Sequence, residues 1–147
     1  MPKYYHIHRS PKPSKIETKL KQNQTLYFSR KNSFWYNVEQ RIGKEYYGGY
    51  IIYEINIPKI LFTTSFNPIK NKIVKITKKN INEYKKLTKQ YKGSINFIKE
   101  MKKRNIIGID ATSKFISKHR SLNPPEGYIW KFPNTIKIKK IKVYDIK

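Results

Sequence analysis

Apolar and polar positions change period several times along the chain, and each change predicts an element. Lys3 to His8 alternates, Tyr4 and His6 to one side and Tyr5 and Ile7 to the other, until the two prolines of Arg9-Ser-Pro-Lys-Pro-Ser14 end the strand. Ile16 to Leu20 has room for one or two helical turns. Thr25 to Phe28 predicts a second strand, and Ser29 is placed to cap a helix over about Lys31 to Arg41, with Phe34, Trp35 and Val38 inward. Gly43 and Gly48-Gly49 mark the next turn. Tyr50 to Ile57 is the strongest strand pattern, dominated by β-branched and aromatic side chains and stopped by Pro58.

Leu61 to Thr64 and Lys72 to Thr77 predict two further strands. From Asn80 the period becomes about 3.6, with Ile81, Tyr84, Leu87 and Tyr91 on one face. Past Gly93-Ser94 a second amphipathic helix carries Ile95, Ile98 and Met101. Ile106 to Asp110 predicts a buried strand, Ala111 to Lys118 is ambiguous, and Ser121 to Gly127 is a loop by its turn residues. Tyr128 to Phe132 and Ile136 to Tyr144 close the chain as strands. With no internal repeat and no dividing linker, residues 1–147 are expected to form a single basic α+β domain of about seven strands, in twisted antiparallel or mixed sheets, with three or four short helices.

Composition adds a partner class. The chain has 147 residues, 33 Lys plus Arg against 9 Asp plus Glu, and a formal net charge of +24. Residues 70–104 alone hold 13 Lys or Arg and two carboxylates, Glu83 and Glu100, so this stretch is +11. Nucleic acid or another polyanion is the expected partner, because neutralising phosphates releases counterions and supplies affinity independent of sequence. Lys78, Lys79, Lys85, Lys86, Lys89, Lys92, Lys102, Lys103 and Arg104 are the candidate contacts. Lysine lacks the planar fork of arginine, so contacts of this type favour phosphate over base sequence. Heavy use of Lys, Asn, Ile and Tyr also resembles translation of an AT-rich genome, so part of the charge reflects codon bias.

Other classes are constrained. The absence of cysteine excludes disulfides, thiolate zinc sites and a cysteine nucleophile, which makes an intracellular setting the default expectation. No apolar stretch approaches the roughly 20 residues of a membrane span, and the first residues show no signal core. Aromatics at 14% argue against disorder despite a mean hydropathy of −0.77.

Three readings of the chemistry follow. His6 and His8, at i and i+2, share one face of a strand, as the metal-binding histidines of nicking endonucleases do. Those enzymes carry a Tyr-x-x-Lys nucleophile on a helix; Tyr84-Lys-Lys-Leu87 has Leu where Lys belongs, and Tyr128-Ile-Trp-Lys131 fits the spacing but reads as strand, so no metal is expected. A small basic nuclease using His6, His8 or His119 as acid and base is a second possibility.

The third rests on a family resemblance. Lys3-Tyr-Tyr-His-Ile7 is similar to the Leu-Tyr-His opening of the His-type branch of the ADP-ribosyltransferase superfamily. Leu26-Tyr-Phe-Ser-Arg-Lys-Asn-Ser-Phe-Trp-Tyr36 resembles that branch's strand running into a helix with Ser and then Tyr. Gly108-Ile-Asp110, followed by Glu126-Gly-Tyr-Ile-Trp-Lys-Phe-Pro-Asn-Thr-Ile-Lys137, is similar to phage and bacterial members reading Gly-x-Asp-Gly, then Glu, an apolar strand, Pro and Ile-Lys.

The resemblance implies a split β-sandwich and an NAD-dependent mono-ADP-ribosyltransferase-like protein acting on or near nucleic acid. By it, Glu126 is the catalytic carboxylate, His6 binds the ribose 2′-hydroxyl, Tyr36 stacks on nicotinamide and Ser29 helps hold the ribose. Such a set suits cleavage of the nicotinamide–ribose bond, where positive charge develops beside the carboxylate. Two departures stand out: His6 is followed by Ile-His-Arg instead of Gly and a small hydroxyl residue, and Ala111 replaces the Gly after Asp110. Glu54 is an alternative carboxylate, and a non-enzymatic nucleic-acid-binding or packaging protein of a large DNA virus or phage is the alternative function.

Overall fold

The computed structural model describes residues 4–9, 25–30, 50–112 and 126–144. Their strands are β1 (Tyr4–Arg9), β2 (Leu26–Arg30), β3 (Tyr50–Asn56), β4 (Phe62–Thr63), β5 (Lys72–Lys75), β6 (Ile106–Asp110), β7 (Gly127–Ile129) and β8 (Lys137–Tyr144). Two α-helices, α1 (Ile81–Gln90) and α2 (Ser94–Lys103), and a 3-10 turn at Lys59–Leu61 complete the described elements. The helices expected over Ile16 to Leu20 and Lys31 to Arg41 lie outside the described residues, as does most of Ala111 to Lys118.

All eight strands belong to one mixed sheet, ordered β4-β5-β6-β7-β2-β1-β3-β8. β4, β5 and β6 run parallel, and the remaining neighbours are antiparallel. A parallel neighbour requires a crossover, which α1 and α2 provide between β5 and β6. All five residues of β6 are buried, so both faces of the sheet are covered there. Among the described residues the two edges are a two-residue strand, β4, and the lysine-bearing β8, both poor templates for pairing with another chain.

The sheet is strongly curled. β1 and β4 are five steps apart in strand order, about 24 Å on a flat sheet. Yet the Tyr4 and Phe62 ring centroids are 6.1 Å apart, far closer than two side chains could bring them without curvature. The concave face holds Tyr4, Leu26, Phe28, Tyr53, Ile55, Ile73, Ile129 and Ile136 in one buried cluster. On the convex face α1 and α2 bury Ile81, Tyr84, Leu87, Phe97 and Met101 against Val74, Ile109 and Trp130.

Several local expectations shift. Ser29 and Arg30 extend β2 beyond Phe28, and Ser29 pairs with Tyr5 as a strand residue. β7 ends at Ile129, because Trp130 turns to donate its indole Nε1–H to the Ile106 carbonyl at 3.0 Å. On α2, Phe97 and Met101 carry the buried stripe, whereas Ile95 is 82% exposed. One i,i+4 pair suffices to anchor that helix, and Ile95 is off its stripe. Asn80 stands at the α1 N-cap position without capping the helix; its amide is buried, accepting from Thr77 N–H at 2.7 Å and donating to the Thr64 and Lys75 carbonyls. It therefore ties the ends of β4 and β5 to the start of α1.

Candidate functional site

Strand register decides which chemical groups meet. Asp110 pairs with Gly127, and Gly127 with Phe28. On β1, His6 pairs with Tyr53 of β3. Continuing the Tyr5–Ser29 register by one step sets His6 opposite Phe28, so Asp110, Gly127, Phe28, His6 and Tyr53 form one row across the concave face. Alternation sends Tyr5, Ser29 and Glu54 to the other face. Glu126, one residue before Gly127, falls beside Ser29 on that face by the same alternation.

His6 and Ser29 thus occupy neighbouring positions of β1 and β2 on opposite faces, and Glu126 stands just before β7, on the Ser29 side if the alternation of β7 is continued by one residue. Tyr36, His119 and the His8 side chain lie outside the described residues. Glu54, the alternative carboxylate, is in register with Lys139 of β8.

β1 and β2 pair only at Tyr4–Arg30 and Tyr5–Ser29, against six pairs between β1 and β3. Where this short ladder stops, the His6 ring bridges the strands, its Nδ1–H donating to the Tyr27 carbonyl at 2.6 Å. That bond places the ring proton on Nδ1. The joint between β1 and β2 is consequently two residues wide, with an imidazole at its margin.

The concave row is filled beside His6. Phe28 is 1% exposed and stands edge-on to Tyr4, ring centroids 5.0 Å apart. A Cβ at position 127 would come within 2.1 Å of Phe28 Cζ, so only glycine leaves room for that ring. Next to it Asp110 is fully buried and accepts three hydrogen bonds. They come from the Tyr4 hydroxyl at 2.8 Å, from the Thr112 N–H at 3.0 Å and from the Thr112 hydroxyl. Arg30 Nε donates to Thr112 Oγ1 at 3.0 Å, closing a network over β1, β2 and the end of β6. Burial pushes the Tyr4 hydroxyl far above the ordinary tyrosine range, the Asp110 carboxylate adds to this, and Arg30 opposes it. The sequence marked Asp110 through the Gly-Ile-Asp motif, but nothing local to it indicated Tyr4, Arg30 or Thr112 as partners.

Glu126 has a carboxyl raised above its ordinary value by burial. Among the described residues no three His, Asp or Glu side chains gather as a metal site. No family model, no curated protein and no solved structure matches this chain. Its function therefore has to be read from its own geometry.

The cationic residues are on the surface. Lys70, Lys78, Lys79, Lys86, Lys89, Lys92, Lys99, Lys102 and Lys103 are exposed, and Lys85 and Arg104 half-buried. Of the two carboxylates in this stretch, Glu83 is exposed and Glu100 is bonded to Arg104 at 3.3 Å. Entering β8, Lys137 and Lys139 face outward while Ile138, and Ile136 just before the strand, pack inward, in the alternation the sequence predicts. Among the described residues no helix is long and apolar enough to cross a membrane.

Proposed function

We propose that this protein binds nucleic acid through the layer formed by α1 and α2. The supporting observation is the imbalance of exposed charge over residues 70–104, nine lysines against the single carboxylate Glu83. Both helices bury one apolar stripe and turn lysine outward, and the remaining carboxylate, Glu100, is engaged by Arg104. A surface of lysine contacts phosphate chiefly as point charges, which gives affinity with little sequence preference.

The test is binding of two duplexes of unrelated sequence, followed by fluorescence anisotropy over a salt series. The logarithm of the binding constant is expected to fall linearly with log salt, with a slope near −0.9 per contacted phosphate. Charge reversal of Lys86, Lys89 and Lys92 to Glu is expected to weaken both duplexes equally and to flatten the slope by about 0.9 for each lost contact. Unchanged affinity in the triple variant would remove α1 from the interface.

A second reading is favoured by the narrow joint between β1 and β2. A sheet that parts after two residue pairs suits the split β-sandwich of the ADP-ribosyltransferase resemblance, and His6 and Ser29 stand at the parting. On this reading the protein uses NAD as a substrate beside a nucleic-acid acceptor, with Glu126 as carboxylate and with Ser29 and Tyr36 holding the nucleotide, while His6, on the opposite face, braces the joint instead of meeting the ribose that the resemblance assigns to it. NAD is then expected to raise the melting temperature and to be consumed, and Glu126→Gln to stop the consumption.

The same variant separates catalysis from stability. Burial raises the Glu126 pKa on folding, so the folded state holds its proton more tightly than the unfolded chain does. The native carboxyl therefore costs stability as pH rises from the ordinary carboxylate value through its folded pKa. Glu126→Gln is expected to melt higher than the parent at neutral pH, with the difference shrinking to nothing in acid. A folded protein that neither consumes NAD nor gains heat stability from it would exclude the transferase reading and leave the pH prediction standing.

A further inference from the structure

At the turn between α1 and α2 two clefts meet on one side chain. One, of about 210 Å³, is lined by Thr88, Tyr91, Gly93, Ser94, Phe97 and Tyr128. The other, of about 230 Å³, includes Lys92, Lys99 and Lys103, with Glu100 also on its wall. Tyr91 belongs to both. The aromatic surface continues past the first cleft. Tyr128 lies 6.0 Å from the ring of Tyr27 on the neighbouring strand β2, and Tyr27 is 51% exposed.

These rings are held from behind. Tyr128 and Tyr84 share a hydroxyl–hydroxyl hydrogen bond of 2.9 Å, and the Trp130 ring centroid stands 5.8 Å from that of Tyr128. Burial, with the neighbouring Tyr84 hydroxyl adding to it, pushes the Tyr128 hydroxyl far above the ordinary range, so that ring is a neutral surface at any physiological pH. Tyr27 and Tyr91 therefore border a fixed aromatic floor at the edge of the helical layer, and three exposed lysines, Lys92, Lys99 and Lys103, are next to it.

We infer that this margin is a binding site for single-stranded nucleic acid, with bases stacked along Tyr27, Tyr128 and Tyr91 and the backbone phosphate held in the lysine cleft. The inference deepens the nucleic-acid reading and depends on it. Single strands fit because base faces sequestered inside a duplex cannot meet a tyrosine ring, whereas a flexible strand offers base and phosphate together. Every base has a π-face, so the site tolerates sequence, in keeping with lysine as the charged partner.

The experiment measures anisotropy of labelled oligothymidylate of about twenty nucleotides, a length that covers a typical single-strand site. A duplex of equal length serves as the comparison, with salt varied for both. The parent protein is expected to prefer the single strand, with Trp130 emission changing on binding. Tyr27→Ala and Tyr91→Ala are each expected to weaken single-strand binding roughly 5- to 150-fold, the range that loss of one stacked base supports. Duplex affinity and both salt slopes should stay unchanged. Tyr27→Trp is expected to restore binding, which a merely structural tyrosine would not predict.

If both alanine variants stay folded and bind the single strand as the parent does, the stacking site is wrong although the cationic layer stands. Equal or tighter binding of the duplex by the parent overturns the single-strand assignment in the same way. If the parent binds neither probe at low salt, the nucleic-acid reading falls, and this site with it.

Discussion

Asp110→Ala is expected to lower the melting temperature by about 10 °C or more, corresponding to roughly 3–5 kcal/mol for breaking a buried charged network in a domain of this length. The carboxylate is fully buried and receives the Tyr4 hydroxyl, the Thr112 N–H and the Thr112 hydroxyl. Removing it strands three donors where water has little access, and Arg30 loses its route to the network through Thr112. The strands joined at this point, β1 and β6, are not neighbours, since β7 and β2 lie between them. The carboxylate thus holds the curl of the sheet as well as one local turn.

Asp110→Asn keeps the shape and one carbonyl oxygen, and is expected to cost less, about 1–3 kcal/mol. Thermal denaturation followed by circular dichroism measures both variants. An alanine variant that melts with the parent would mean that the network contributes nothing net.

Gly127→Ala is expected to destabilise by about 3 kcal/mol, at the upper end of overpacking costs. The new methyl would lie 2.1 Å from Cζ, 2.4 Å from Cε2 and 2.7 Å from Cε1 of Phe28. That ring cannot step aside, since it is 1% exposed and packed edge-on against Tyr4. Phe28→Leu removes the atoms in conflict and leaves a smaller cavity than alanine would. The double variant is therefore expected to be more stable than the two single losses added together, with a coupling of about 0.5–3 kcal/mol in urea denaturation. Simple additivity would mean that the strand moves away and the ring is not the obstacle.

The two residues differ in how far the sequence reveals them. Gly127 reads as a turn glycine after Pro124-Pro125-Glu126, which is where loop composition puts it. In the folded chain it begins β7, and the space above it is taken by a ring from a strand nearly 100 residues earlier. For the candidate site this matters directly. Order along the chain groups Glu126 and His6, whereas side-chain alternation sets them on opposite faces of the sheet, with β2 lying between β1 and the start of β7. A shift of one residue exchanges the faces of a strand, and motif order carries no information at that resolution.

The local elements were largely legible from the chain itself. The β-branched run from Tyr50, the switch to a 3.6 period at Asn80 and the Ile/Lys alternation after Ile136 predict β3, α1 and β8 within a residue or two, because backbone period and side-chain shape act over a few positions. The net charge, and its concentration over residues 70–104, is likewise a property of sequence alone. Only the tertiary structure decided that β2 joins β1 to β7, that the eight strands curl into one sheet, and that Tyr4 reaches Asp110 across 106 positions. Local preference states that a segment is a strand and which residues share its face. Which strand lies beside it, and what fills the space between, depends on packing among residues far apart in the chain, and no window of the sequence contains both partners.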